Sequence, residues 1–246
     1  MRTRDQAICI RAVDYSETSQ VLTFFTRAGG TVRLIAKGTK RPRSKSGGAV
    51  DLLGEGDLVY TARSCEALGT LVEFTETRSS AALRRDAARL NAALYMIELV
   101  GELMGPGDAH PASFDLLSRT LKRLGEPDAP VQAVLAYFQW LILRQAGLLG
   151  ELTACVACGR AISGGGAAWF SSCEGGLLCG ACEGAVSEKY RLDAAARAGL
   201  AALDAAERGR KPSLPPGQAT AANRLLAYHA REQLAKPLRM ARYAIG

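Results

Sequence analysis

The sequence predicts an α+β multidomain chain: a small N-terminal β-barrel, a central helical bundle, a cysteine-rich insert and C-terminal helices. Three observations carry that reading. Five short runs rich in Val, Ile, Leu, Thr and Phe crowd residues 5–78. The apolar spacing then changes to the three-to-four step of a helix. Two Cys-x-x-Cys pairs interrupt the helical half.

The β runs are Ala7–Val13, Gln20–Thr26, Thr31–Ala36, Leu58–Arg63 and Gly69–Thr75. Ala28, Gly29 and Gly30 join the second and third in the manner of a hairpin loop. A long polar stretch separates the third from the fourth. Five short strands within residues 1–79 suit an OB-fold β-barrel, and an SH3-like barrel fits the counts nearly as well.

Residues 80–150 read as the helical bundle. Leu83, Ala87, Leu90, Leu94, Ile97, Gly101 and Met104 recur at steps of four and three, with Arg84, Arg85, Arg89, Glu98 and Glu102 elsewhere on the wheel. That is an amphipathic helix with a core stripe, ended by Gly105, Pro106 and Gly107. A second helix is expected over Ala112–Leu124 and a third from about Ala129 to Ala146, and the three suit a bundle. Residues 151–186 are rich in Gly and Cys and too poor in large apolar side chains to fold around a core of their own. The last segment, 187–246, reads as Ala-rich helices packing on the bundle, broken between Arg208 and Pro216.

Composition narrows the function. Hydrophobic residues make up 48% and charged residues 22%, ordinary for a globular chain. Lys and Arg outnumber Asp and Glu by 31 to 24, a formal net charge of +7, which suits an anionic partner such as nucleic acid or a membrane surface. No uncharged run reaches the roughly 18 residues of a membrane helix, and residues 1–6 lead into no apolar signal core, so the expectation is a cytoplasmic protein. The seven cysteines are odd in number, and five fall between Cys155 and Cys182. That is no secreted disulfide framework, and it points to a metal site in a reducing compartment.

Cys155 and Cys158 form one Cys-x-x-Cys pair, Cys179 and Cys182 the other, with 20 residues between the pairs. This is zinc-ribbon spacing. Each pair can present two thiolates to one ion, and the glycine after Cys158 and after Cys179 lets backbone amides turn toward sulfur. Four sulfurs at about 2.3 Å complete a tetrahedral Zn²⁺ site with no open position, a structural four-cysteine zinc finger rather than a catalytic centre. The competing reading is a set of free or redox-active thiols. Cys173 lies near enough to stand in for a ligand but lacks a pair of its own. Cys9 and Cys65 read as small buried residues.

The stretch from Lys37 to Gly48 carries five positive charges and no acid: Lys37, Lys40, Arg41, Arg43 and Lys45, with Arg33 on the strand before it. Gly, Ser and Pro let such a loop follow a phosphate backbone, and its place on a barrel favours nucleic acid over an idle solvated loop. A second basic region runs from Arg208 to the end, with eight Lys or Arg and Glu232 as its acid. It could extend the binding surface or pair with acids of the bundle. Of the barrel aromatics Tyr15, Phe24, Phe25, Tyr60 and Phe74, most are needed to fill the core rather than to stack on bases. No phosphate-loop, HExxH or GxSxG motif is present. The two histidines, His110 and His229, have no evident catalytic partner, so no enzyme is expected.

Four stretches together resemble the bacterial recombination mediator family RecO: residues 6–27 (QAICIRAVDYSETSQVLTFFTR), 30–38 (GTVRLIAKG) with the basic loop after it, 147–159 (GLLGELTACVACG) and 175–179 (GGLLC). Cys173 departs from the pattern. The resemblance implies an OB-fold, a helical domain and a zinc finger. It also implies binding of single- and double-stranded DNA, annealing of complementary strands, partnership with RecR and single-stranded DNA-binding protein (SSB), and loading of RecA. A nucleoid-associated cytoplasmic location follows. The rival readings are a zinc-containing, sequence-specific DNA-binding regulator, for which no recognition helix stands out, an RNA-binding OB-fold protein, and a zinc enzyme.

Overall fold

The computed structural model describes residues 2–39, 48–150, 152–162, 168–207 and 214–245. The chain divides into two compact units, Met1–Ala129 and Pro130–Gly246.

In the first unit, β1 (Arg2–Ser16), β2 (Ser19–Thr26), β3 (Gly30–Ala36), β4 (Glu55–Thr61) and β5 (Gly69–Arg78) close into a barrel in the order β1-β2-β3-β5-β4, with β1 also pairing β4. All pairings are antiparallel except β3 with β5. This is the five-stranded OB-type barrel, which settles the choice against the SH3-like alternative. β1 is longer than its apolar run because it serves two neighbours: Ala7 faces Thr26 on one side and Gly56 on the other. The interior holds Cys9, Leu22, Phe24, Val32, Leu34, Leu58, Tyr60, Leu71 and Phe74. Phe24 and Phe74 meet with ring centroids 5.1 Å apart. As the sequence suggested, Phe24, Tyr60 and Phe74 fill the core; Phe25 packs outward on Phe114 at 5.9 Å, and Tyr15 is 70% exposed.

The barrel closes through two residues of parallel pairing, Leu34 with Gly69 and Ile35 with Thr70. A side chain at Gly69 would place its Cβ 2.6 Å from the Thr61 carbonyl oxygen and 2.8 Å from Leu34 Cδ2. Glycine is therefore required by the close approach of backbone there. Above the core, buried Gln20 turns its side-chain oxygen to the chain entering and leaving the basic segment. It accepts from the Val50 amide at 3.1 Å and meets the Thr39 hydroxyl at 3.5 Å.

Two helices complete this unit, α1 (Ala87–Leu103) and α2 (Pro111–Leu124). α1 starts later than its apolar stripe. Asp86 is extended and its side chain accepts from the Arg89 amide at 2.9 Å, a side-chain cap that leaves Leu83–Arg85 as a separate 3-10 turn. The Thr31 amide donates to the Gly105 carbonyl at 3.1 Å, and Arg27 pairs with Asp115 at 2.9 Å, so both helices are tied to the β2–β3 hairpin. Cys9 is buried, and burial pushes its thiol up to about 12. Cys65 is exposed, contrary to its reading as a small buried residue, because it sits in the turn before β5 rather than within a strand.

The second unit holds α3 (Val131–Gln145), the strands β6 (Ala168–Ser171), β7 (Gly176–Cys179) and β8 (Tyr190–Leu192), then α4 (Ala194–Glu207), α5 (Pro216–Leu234) and α6 (Ala241–Ala244). α3 and α4 both pack on α5. A buried polar ladder sets the α3–α5 register: Gln139 donates to Asn223 at 2.7 Å, and Asn223 donates to the Gln132 side chain at 2.7 Å. The strands form one antiparallel sheet in the order β7-β6-β8. The insert's buried Phe170 packs edge-on against His229 of α5 at 5.0 Å. Glu188 gathers the Ser172 and Cys173 amides at 2.8 and 3.2 Å and the Tyr228 hydroxyl of α5. The break expected between Arg208 and Pro216 lies largely at residues 208–213, outside the described residues.

Two outcomes follow. Gly69→Ala is expected to destabilise the first unit by about 1–3 kcal/mol in denaturant unfolding, as overpacking does. Gly105→Ala, with nothing within 4 Å of its Cβ, is the control and should change little. His229 is fully buried; one ring nitrogen bonds the Leu148 carbonyl at 2.8 Å, Nδ1 has no hydrogen-bond partner among the described residues, and burial holds the ring's pKa below its ordinary value. The neutral ring is thus favoured by folding. Its stabilisation is complete above pH about 6.5 and is lost as pH falls below that, by at most about 1.4 kcal/mol per pH unit for one proton. The unfolding free energy from urea titrations should fall more steeply with acid in that window for the wild type than for His229→Gln.

Candidate metal centre and nucleic-acid interface

The cysteine cluster is assembled from two turns. Cys155 stands in an isolated bridge to Leu177, and its amide donates to the Arg160 carbonyl at 2.8 Å while its carbonyl accepts from Gly159 at 2.8 Å. Gly159 takes φ +69°, the left-handed conformation that lets this knuckle double back. Cys179 ends β7, and the Cys182 amide donates to its carbonyl at 3.0 Å. Gly180 is not among the glycines with positive φ, so the second knuckle turns without that device.

The four sulfurs of Cys155, Cys158, Cys179 and Cys182 lie within 4.8 Å of one another. Cys158 Sγ and Cys179 Sγ are 3.8 Å apart. A tetrahedron with metal–sulfur bonds of about 2.3 Å has edges of about 3.8 Å, so the donor set fits a tetrahedral thiophilic cation. Cys173 is outside this cluster. It lies in the β6–β7 turn, exposed, its thiol held above the ordinary range by burial first and by the Glu188 carboxylate second.

The protonation pattern expresses the same crowding. Burial raises the Cys155 thiol, but amides of Cys179, Cys158 and Ala157 directed at its sulfur outweigh that and bring it down to about 6. The Ala181 amide chiefly lowers Cys179. Cys182 is pushed up to about 12 because the thiols of Cys158 and Cys179 hydrogen-bond with it and Cys155 carries the charge beside it. Four thiols this close cannot all ionise unless a cation compensates them.

The second surface is the outer face of β1, β2 and β3. Arg11 stands opposite Thr23, and Thr23 opposite Arg33; Val13, Val21 and Ile35 form the next row. Arg33 and Lys37 are exposed. Lys40, Arg41, Arg43 and Lys45 lie outside the described residues. Sequence reading missed two members of this face, Arg11 and Val13 (47% exposed), and weighed Tyr15 (70% exposed) among aromatics expected mostly in the core. The register pairs Asp14 with Gln20 and Ser16 with Ser19, leaving Tyr15 as the bulged residue. The in-out alternation of Cys9, Arg11 and Val13 is broken by another bulge after Cys9, so period-two counting along β1 would have failed there. Among the described residues no helix is long and apolar enough to cross a membrane.

Comparison with known proteins matches both halves of the chain to one family. The family described as "Recombination protein O N terminal" matches residues 1–79, and "Recombination protein O C terminal" matches residues 84–241. A DNA repair protein RecO of Anaeromyxobacter dehalogenans (strain 2CP-C) is 36% identical over 204 residues, 82% of this chain and 79% of that protein. RecO of Anaeromyxobacter sp. (strain K) is 33% identical over 230 residues, covering 92% and 90%. RecO of Alkaliphilus metalliredigens (strain QYMF) is 32% identical over 195 residues, covering 78% and 77%. With both halves matched in order along a closed OB-type barrel and a helical, cysteine-bearing second unit, the chain belongs to the RecO family of DNA repair proteins.

Proposed function

We propose that this chain is a non-catalytic DNA repair mediator that binds single- and double-stranded DNA and anneals complementary strands. With RecR, it helps load RecA onto single strands coated by SSB, in the cytoplasm at the nucleoid. The observation that carries the reading is the exposed pair Arg33 and Lys37 at the head of an acid-free basic segment, on the outer face of an OB-type barrel in a RecO-family chain. Phosphates of two strands repel each other, and cations that neutralise both lower the barrier to their meeting. Arg33, Lys37, Lys40, Arg41, Arg43 and Lys45 supply those cations, Arg as a two-pronged donor and Lys as a point charge. They read phosphate, not base edges, so binding is independent of sequence.

Cys155, Cys158, Cys179 and Cys182 hold one Zn²⁺. Its role is to neutralise the thiolates and cross-link the two knuckles; four sulfur ligands leave no position for a reacting water. The functional regions are the OB-fold over 1–79, the helices over 80–150, the finger over 151–186 and the terminal helices over 187–246.

In a salt series with fluorescent complementary oligonucleotides and no nucleotide cofactor, the wild type should anneal in a salt-sensitive manner. Lys37→Ala with Arg41→Ala should lower the binding slope by about 1.4 on single strands, roughly 0.7 for each phosphate no longer neutralised, and slow annealing. An unchanged slope would remove these residues from the interface, and a well-folded, metal-loaded wild type that does not anneal would overturn the mediator reading. Metal analysis should give one zinc per chain. Chelation should open residues 152–192 to protease before either helical region, and an identical digestion pattern with and without chelator would refute the structural role of the metal.

A further inference from the structure

The C-terminal helices carry a cationic surface that neither the barrel nor the cysteine cluster uses. A groove of about 280 Å³ between α5 and the chain around α6 is lined by Arg224, Tyr228, Arg231, Leu238, Arg242 and Ile245. Arg224, Tyr228 and Arg231 are spaced four and three apart and so share one face of α5. Leu238 and Ile245 are buried and form an apolar floor, while the three arginines are exposed.

Charge and aromatic surface are interleaved here. The Arg231 guanidinium lies over the Tyr228 ring at 5.2 Å, and that of Arg242 over the Tyr243 ring at 4.6 Å. Tyr228 is anchored at its hydroxyl by Glu188 and flanked by Tyr190 at 5.2 Å, so its ring is fixed in place. Tyr243 is 54% exposed. Glu232 is the one acid in residues 214–245, and it pairs with Arg231 at 2.6 Å. Among the described residues no carboxylate forms an ion pair with Arg224 or Arg242. Of the two readings of this basic segment, pairing with acids of the bundle does not hold for these two among the described residues.

We propose that the groove beside α5 and α6 is a second binding site for single-stranded nucleic acid, in which Arg224, Arg231 and Arg242 contact phosphates, while Tyr243, outside the groove's lining but exposed and stacked under the Arg242 guanidinium, receives unstacked bases beside it. Aromatic rings interleaved with cations are the surface that single strands use, since every base offers a flat face. A duplex conceals those faces, and a groove of this size is smaller than most cofactor pockets. The proposal rests on the reading of the chain as a nucleic-acid binder. It adds that two strands are held at two places on one chain, the barrel face and this groove.

The test uses the intact, metal-loaded protein and fluorescent oligo(dT). Arg224→Ala with Arg242→Ala should lower the salt slope of binding by about 1.4, the effect of leaving two single-strand phosphates unneutralised, with thermal unfolding and metal content unchanged. Arg224→Lys with Arg242→Lys should keep the slope, and it carries the test if the alanine pair folds poorly. Tyr243→Leu should weaken oligo(dT) about fivefold or more without changing the slope, as removal of stacking does. A wild type that binds no oligo(dT) would overturn the nucleic-acid reading as a whole. A wild type that binds, beside an alanine pair with an unaltered slope, would overturn this site alone. An unaltered oligo(dT) slope together with abolished binding of an oligoglutamate peptide would assign the groove to acidic peptides and likewise overturn the proposal.

Discussion

The first unit depends on the two-residue parallel pairing of Leu34 and Ile35 with Gly69 and Thr70. Without it, β3 and β5 would be open edges with unpaired amides and carbonyls, a template for association with other chains. With it, the sheet has no edge and its inward positions fill one core. The same alternation then governs β3: Val32 and Leu34 point in, and Arg33 points out. The chain leaves that strand at Lys37, so the first cations of the basic segment are placed by the closure itself. The proposed nucleic-acid surface is thus the outside of the residues that hold the barrel shut.

In the second unit the small sheet is held from two directions. Its apolar side rests on α5 through Phe170 and His229, and its polar side is gathered by Glu188, which reaches Tyr228 of the same helix. The cysteine cluster lies at the other end, where Cys155 approaches β7 and Cys179 completes it. A sheet of three- and four-residue strands cannot order itself by hydrogen bonding alone. Helix packing supplies one constraint, and the clustered sulfurs, which a bound cation would neutralise, are placed to supply the other.

Much of this was legible in the sequence. The strand runs, the helices Pro111–Leu124 and Val131–Gln145, and the four clustered cysteines follow from period and spacing, because each is a local rule. What was not legible is what depends on partners distant in the chain. Apolar period shows that α3 has a core stripe, but not that the stripe lies on α5 through Gln139 and Asn223. β1 extends well beyond its apolar run because β4 pairs with its polar first residues. The α1 start moved because one aspartate side chain caps a helix better than the preceding apolar turn could extend it. Tyr15 could not be told from the core aromatics by type, because aromatic residues in small barrels are mostly core and only the bulge at the β1–β2 turn puts it outside.

Gln20 has one further consequence. Its single carbonyl oxygen meets both Thr39 and Val50, so the two described residues that flank the basic segment are held at one point of the barrel. A segment closed at its base in this way is thermodynamically insulated from the fold beneath it. Doubling its length would cost only about 0.6 kcal/mol of closure entropy. Its length, charge and composition are therefore free to change from one relative to another while the barrel stays the same, and evolution can retune the strength of phosphate binding without renegotiating the core.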